Sequence, residues 1–297
     1  MANLKNTTIN DSAYLQLPVG TTAQRPGSPV NGDTRFNSDF KVPETYVDGA
    51  WKYMPPIVED GMVLHLDAAE PASYSGSGTT WTDLSGNGYN AIRSGATFSN
   101  DHFSFDGTDD YFYLTSLNYG GGTTISEMSV FAWVRTTYNS GTVGVWDNNN
   151  WSLLDFDRSE VFTFAVNDTG EVQMSGASTT TGFSDANYDL VGNARINDGN
   201  WHYIGWTFSV SDQKIIMYVD GEVDAELIPS GSMTALGSGV TRYGIIGDGS
   251  EADIENGDKN NIYYEGDIGV IQFYDDKVLT LTEVKQNFNA LRGRYGL

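Results

Sequence analysis

The chain contains no cysteine in its 297 residues, which excludes disulfide frameworks, thiolate zinc sites and cysteine nucleophiles. Basic residues are scarce: 16 Lys and Arg stand against 39 Asp and Glu, a formal charge of −23. No run of Lys or Arg occurs, so the clustered positive charge that phosphate backbones demand is missing, and nucleic acid is not an expected partner. No stretch approaches the ~20 apolar residues of a membrane span, so no membrane insertion is expected. The opening MANLKNTTINDSAY lacks the apolar core of a secretory signal, and synthesis in the cytoplasm without export is expected. Only three histidines occur, His65, His102 and His202. Nucleophile–base chemistry would need one of them beside a serine and oriented by a carboxylate. His65 and His202 lie within strand patterns and His102 in a loop-to-strand step, so packed or surface roles are expected for each. Phosphate loops, dinucleotide fingerprints and Gly-x-Ser-x-Gly elbows are also missing from any strand–helix context.

Glycine is abundant, with 34 residues, and aromatic side chains make up 13%. Helical periodicity is confined to the C-terminus, so the chain reads as all-β and long enough to bury a core. The strongest pattern is Asn197–Gly221, NDGNWHYIGWTFSVSDQKIIMYVDG. There Tyr203 and Gly205 alternate with Ile204, Trp206 and Phe208, and Ile215, Met217 and Val219 alternate with Ile216 and Tyr218. Both faces carry large apolar groups, so this hairpin is expected in the middle of a two-sheet β-sandwich. Asp198-Gly199 and Asp220-Gly221 suit tight turns that need positive φ. Further strand-like runs start at Met62 and recur at 103–114, 128–135, 143–146, 151–156, 161–166, 171–175, 188–195, 222–228, 240–247 and 263–274. Short strands punctuated by Gly, Asn and Asp indicate a sandwich or jelly roll. The tail LTLTEVKQNFNALRGRYG is the one clear helix. Thr280 and Glu283 form a capping box, and Leu281, Val284, Phe288 and Leu291 share a face expected to pack over an edge or end of the sandwich.

Residues 14–54 have a different character. Thr34–Asn37 and Thr45–Tyr53 are short strand-like runs, Asp48-Gly49 is a hairpin turn, and Pro18, Pro26 and Pro29 rule out long elements between them. So few apolar groups would be marginal alone, so this module is expected to fold against copies of itself or a partner. Pro55-Pro56 and Glu59-Asp60-Gly61 form a stiff link, which gives an N-terminal module over 1–56 and a main domain over 57–297. The elements Leu17-Pro18-Val19-Gly20-Thr21-Thr22, Arg25-Pro26, Gly32-Asp33-Thr34-Arg35-Phe36-Asn37 and Asp48-Gly49-Ala50-Trp51 closely resemble a short module of virion structural proteins of tailed bacteriophages, often found in fibres. The resemblance implies attachment to other virion proteins, localisation in the virion and a homo-oligomer, a trimer by analogy with the class.

From about residue 62 onward the chain carries Leu66-Asp67-Ala68, Trp81 with Asp83-Leu84-Ser85-Gly86-Asn87-Gly88, Phe105-Asp106-Gly107-Thr108-Asp109-Asp110-Tyr111, Trp201-His202, Tyr218-Val219-Asp220-Gly221 and Gly266-Asp267-Ile268-Gly269. In these motifs and their order it resembles the laminin-G-like or concanavalin-A-like jelly-roll superfamily. The implied fold class is all-β: a laminin-G-like jelly-roll β-sandwich with a short C-terminal helix, preceded by a small hairpin-containing module. Related jelly rolls often carry a structural calcium.

Three constellations carry candidate chemistry. Asp106, Asp109 and Asp110 surround a glycine turn, and Asp267 stands at a strand start, so these four are the candidate ligands of a Ca²⁺, which takes six to eight oxygens. A second acidic stretch, 248–261, lacks EF-hand spacing and reads as a solvated, flexible loop. For glycan binding, VWDNNNW places Trp146 and Trp151 around Asp147, Asn148, Asn149 and Asn150, so that rings could stack on a sugar while polar tips meet its hydroxyls. The alternative is a hairpin whose tryptophans enter the core. Glu222, Asp224 and Glu226 match the E-x-D-x-E strand of retaining β-glucanases, and strand alternation would align them on one face. An ordinary return strand after the Asp220-Gly221 turn is the expected reading, with no catalytic residue. The chain therefore reads as a phage virion structural protein, fibre or surface decoration, displaying a non-catalytic carbohydrate-binding jelly roll for host-surface adhesion. The alternatives are a purely structural decoration protein and, behind it, a polysaccharide hydrolase.

Overall fold

The computed structural model describes residues 16–139, 151–177 and 188–297. They divide into two compact units: the described residues up to Ile57 together with Asn289–Leu297, and Val58–Phe288.

In the first unit, β1 (Val19–Gly20), β2 (Thr34–Asn37), β3 (Val42–Val47) and β4 (Ala50–Tyr53) form a sheet in that order. β1 runs parallel to β2, and the other pairs are antiparallel. Asp48 and Gly49 turn the β3–β4 hairpin at φ 51° and 83°, the left-handed backbone that a two-residue turn needs. Arg35, Glu44 and Tyr53 pair in one buried cross-strand row. Glu44 accepts hydrogen bonds from Arg25 Nη2 at 2.7 Å and Asn37 Nδ2 at 3.1 Å, with Arg35 Nε 3.6 Å away. A module short of apolar residues thus closes around a charge network. The chain's other end completes it: the Arg294 guanidinium lies 4.1 Å from the Phe40 ring and donates to the Tyr53 hydroxyl at 2.8 Å.

The second unit begins with β5 (Met62–Asp67), β6 (Thr80–Trp81), β7 (Ala91–Ser94), β8 (Thr97–Ser99), β9 (His102–Asp106), β10 (Tyr111–Tyr119) and β11 (Glu127–Arg135). It continues through β12 (Trp151–Asp155), β13 (Phe162–Val166), β14 (Glu171–Gly176), β15 (Tyr188–Arg195), β16 (His202–Ser209), β17 (Lys214–Val219) and β18 (Glu222–Leu227). β19 (Arg242–Ile246), β20 (Glu265–Asp275) and the first half of helix α1 (Leu281–Tyr295) finish it. One sheet runs β15–β14–β13–β12–β19–β10–β7–β6, and the other β18–β17–β16–β11–β20–β9–β8 with β5 also paired to β20. This is the expected jelly-roll sandwich. The expected strand at 143–146 lies outside the described residues.

Between the sheets, alternate residues interlock as a buried aromatic core. Ile204, Trp206 and Phe208 of β16 face it, as do Val130, Ala132 and Val134 of β11. Trp206 meets Phe162 edge-on at 5.4 Å, and Phe103 sits 4.8 Å from Trp81 and 4.9 Å from Phe112. The central hairpin is β16–β17, paired from Ile204 with Val219 to Ser209 with Lys214.

Its other face is apolar because α1 covers it. Phe288 stacks on Trp133 at 5.7 Å and 14°, beside the stacked pair Phe131–Tyr203. Asn287, fully buried, donates to the Tyr274 hydroxyl at 2.8 Å and accepts from the Val58 N–H at 2.8 Å. The capping box forms, with Thr280 N–H donating to Glu283 at 2.8 Å and Glu283 N–H to the Thr280 hydroxyl at 3.3 Å. The helix lies on a sheet face rather than at an edge or end, and Leu281 is exposed rather than part of the packing stripe. Gly205 permits this packing, because a Cβ there would fall 2.3 Å from the Phe131 ring. No described helix is long and apolar enough to cross a membrane.

Removing one partner of a buried charge pair leaves the other uncompensated, at roughly 3–5 kcal/mol. Glu44→Ala is therefore expected to destabilise the first unit by about that much. Hydrogen exchange should show slow amides of β2 and β3 lost while those of β11 and β16 stay protected; unchanged protection in β2 would contradict the buried network.

Candidate binding face

One sheet face has its outer side under α1. The outer side of the other sheet is polar along its β12–β15 half. Val172 and Met174 point into the core, so Gln173 and Ser175 between them point outward. The same alternation turns Thr163 and Ala165 outward between Phe162, Phe164 and Val166. Register then assembles two rows. The first runs Asp155–Thr163–Ser175–Asp189 and continues on the other side through Ile245 to Tyr113. The second runs Ser152–Ala165–Gln173–Val191.

Asp155 organises this face. Its carboxylate accepts from Thr163 at 2.9 Å, from Ser152 at 3.0 Å and from the Asp157 N–H. Burial, and then the charge of Asp157, push the Asp155 carboxyl up to about 7 against those bonds. Ser175 donates to Asp189 at the opposite end of the row. Gln173 is 1% exposed, and neither atom of its amide has a hydrogen-bond partner. Asp155 is buried, whereas Asp189 and Val191 are exposed, so the rows open at the β15 edge. Ser152, Asp155, Thr163, Gln173 and Ser175 are all buried, so these groups form a polar layer closed off from solvent, and only Asp189 and Val191 at its β15 end are exposed.

Residues 106–285 match the family described as the concanavalin A-like lectin/glucanases superfamily, in its laminin G branch. The chain belongs to this superfamily. No curated protein matches the chain in sequence. Among solved structures, the superfamily fold is shared with the binding domain of Paraclostridial Mosquitocidal Protein 1 at TM-score 0.55 and 14% identity, over 78% of this chain and 52% of that one. The binding domain of botulinum neurotoxin DC, solved in complex with rat synaptotagmin II, gives 0.53 and 14%, over 79% and 52%. The ligand-binding domain of botulinum neurotoxin serotype D, solved in complex with N-acetylneuraminic acid, gives 0.50 and 12%, over 78% and 51%. The chain thus spans about half the length of these structures, and the likeness is one of fold.

The sequence-predicted sites fare unevenly. Trp146, Asp147, Asn148, Asn149 and Asn150 lie outside the described residues. Trp151 is the first residue of β12, in register with Val166. Asp106, Asp109 and Asp110 do come together, each offering a carboxylate oxygen within 4.8 Å of the others. Burial above all raises the Asp110 carboxyl, with the charges of Asp106 and Asp109 adding to it against a bond from the Asp106 N–H. Asp267 is not part of this group. Its carboxylate is held by Arg135 at 2.6 Å and by the Ser104 hydroxyl at 2.6 Å, because it pairs in register with Ser104 while Asp106 faces Glu265.

The E-x-D-x-E carboxylates do not share a face. Glu222 pairs with Val219 and Glu226 with Ile216, so five residues oppose four and a bulge at Asp224 breaks the alternation. Glu222 pairs with Lys285 at 2.8 Å, and Asp224 accepts the N–H groups of Asn193 and Ala194 at 2.8 and 3.0 Å. The acidic stretch 248–261 is pinned down: Asp248 is buried and caps the N–H groups of Gly249 and Ile262 at 2.7 Å, and Glu255 caps Ser116 N–H at 2.7 Å. His202 sits between Asp220 at 2.8 Å and Asp198 at 3.1 Å, a turn-fixing position.

Sequence reading missed Asp155, Thr163, Gln173, Ser175 and Asp189. The signal was present as polar residues alternating with apolar ones in 151–176, but alternation alone does not say which strands lie side by side.

The unfolded chain releases the Asp155 proton near ~3.9, and the folded chain holds it to about 7. Stability contributed by this group is therefore lost as pH rises through that window. Asp155→Asn does not titrate, so its stability relative to wild type is expected to improve from pH 4 to pH 8. Urea unfolding across that range is the check, and a pH-independent difference would contradict the buried carboxyl.

Proposed function

We propose that the protein is a non-catalytic carbohydrate-binding protein of a bacteriophage virion, a fibre or surface-decoration protein that adheres to a host-surface glycan. The observation that carries the binding reading is the match of residues 106–285 to the concanavalin A-like lectin/glucanases superfamily on a jelly-roll sandwich. Its superfamily includes lectins, and proteins of similar fold have been solved with N-acetylneuraminic acid or synaptotagmin II bound. The dispersal of Glu222, Asp224 and Glu226 supports a binding protein over a hydrolase. The virion setting rests on the N-terminal motifs, several of which build the first unit: Arg25, Arg35, Asn37 and the Asp48-Gly49 turn. That unit attaches the protein to other virion proteins and assembles it as a homo-oligomer, taken as a trimer. The second reading, a purely structural decoration protein, keeps the same first unit and gives the sandwich a virion partner.

Labelled full-length protein is expected to bind host cells saturably, with host polysaccharide competing and without sugar release. Absence of binding by folded protein across candidate hosts would favour the structural reading. Asp106, Asp109 and Asp110 fit part of a calcium shell, with backbone carbonyls and water making up the rest, and a Ca²⁺ there would relieve their mutual repulsion. A higher melting temperature in Ca²⁺ than in EDTA is expected, reduced by Asp109→Asn. Identical melts would remove calcium from the proposal.

A further inference from the structure

We infer that the open face of the four-stranded sheet in the first unit packs against the same face of other copies of this chain, an inference that rests on the homo-oligomer proposed above and names its contact surface. Register fixes which residues share that face. Thr34 pairs with Thr45 and Thr45 with Lys52, and beside them Val19 pairs with Phe36 and Phe36 with Pro43. The Thr34 hydroxyl donates to that of Thr45 at 3.2 Å, so both side chains stand on one side of the sheet. The residues that alternate with them, Arg35, Asn37, Val42, Glu44 and Tyr53, are buried on the opposite side. The Met54 N–H donates to the Pro43 carbonyl at 2.9 Å, which carries the second row on past β4. An apolar row, Val19–Phe36–Pro43–Met54, therefore crosses the whole sheet on its open side. Val19 is 63% and Met54 45% exposed, and Phe36 and Pro43 are partly exposed between them.

Charge argues for a second copy as the occupant. The chain carries a formal −23, so two copies repel and approach closely only through a surface free of carboxylates. In β1 to β4 the one acidic residue is Glu44, and it points to the buried side. Lys52 is the one charged residue of these strands on the open side, which leaves a partner of either charge little to recognise. Against itself the face is complementary. Apolar row meets apolar row, and the Thr34 and Thr45 hydroxyls both donate and accept, so symmetry-related copies can exchange hydrogen bonds. Four strands ~4.8 Å apart and about 15 Å long present roughly 300 Å². That is well under the ~800 Å² per partner of a stable interface, so the assembly is expected to come apart on dilution. It is also expected to tighten with salt, which screens the overall repulsion.

Sedimentation equilibrium of the full-length protein, over a range of concentration at low and high salt, is the test. Association is expected to increase with both. Val19→Glu with Met54→Glu adds two carboxylates at the exposed ends of the row without changing a buried side chain. This double variant is expected to weaken association by at least about tenfold while the β2 and β3 amides keep their slow hydrogen exchange. Met54→Glu alone, outside the strands, is expected to weaken it by a smaller factor and decides the matter if Val19→Glu loosens β1. Undiminished association of these variants would place the contact elsewhere and overturn the inference, with the homo-oligomer left standing. Association that falls as salt rises would do the same, because it marks an interface made of charge pairs. Wild type monomeric at every concentration and salt would overturn both and leave the row to a different virion protein.

Discussion

Phe288 stacked on Trp133 closes the aromatic outer side of one sheet of this sandwich. A β-sheet has two faces, and the core can hide only one of each. The sheet containing β11, β16 and β20 is aromatic on its outer side as well, with Phe131, Trp133, Tyr203 and Tyr274 all buried there. Left bare, such a surface would be a sticky apolar patch. The first half of α1 closes it, and the closeness of that packing depends on Gly205 and on the clasp of Asn287 between Tyr274 and Val58. With that side sealed, the outer side of the opposite sheet is where polar chemistry collects.

That polar face is costly to keep. A buried amide without partners forfeits about 1–3 kcal/mol per unsatisfied group, and a carboxyl buried next to another carboxyl resists ionisation. The aromatic core supplies the surplus that tolerates such groups, because each large ring buried there removes a substantial apolar area from water. In the first unit the logic is reversed. There, charges hold the structure together, with Glu44 gathering Arg25 and Asn37 and approaching Arg35 while Arg294 lies over Phe40.

Much of the architecture was legible in the sequence. The alternation in 201–219 placed a hairpin with two apolar faces in the middle of a sandwich, and the Thr280–Glu283 pair marked the helix start. The Asp48-Gly49 pair marked a turn whose backbone is left-handed in the fold. The errors were those that local patterns cannot avoid. Strict alternation put Glu222, Asp224 and Glu226 on one face, but a bulge between β17 and β18 shifts the register. Spacing offered Asp267 to the metal group, but its strand partner is Ser104, and Arg135 neutralises it. Composition made 248–261 look like solvated loop, although buried Asp248 anchors its backbone.

The sequence by itself determined most of the strands, their turns, the helix with its cap and, where no bulge intervenes, the inward or outward sense of a side chain, because these follow from backbone sterics and periodicity within a few residues. Only the tertiary structure decided which outward-facing residues are neighbours. Asp155, Ser175 and Asp189 are far apart in the chain and meet because β12, β13, β14 and β15 pair side by side, while β12 also pairs with the distant β19. Strand order is set by which sheet arrangement buries the aromatic core best, a property of the whole chain, and the polar layer along β12–β15 follows from that order.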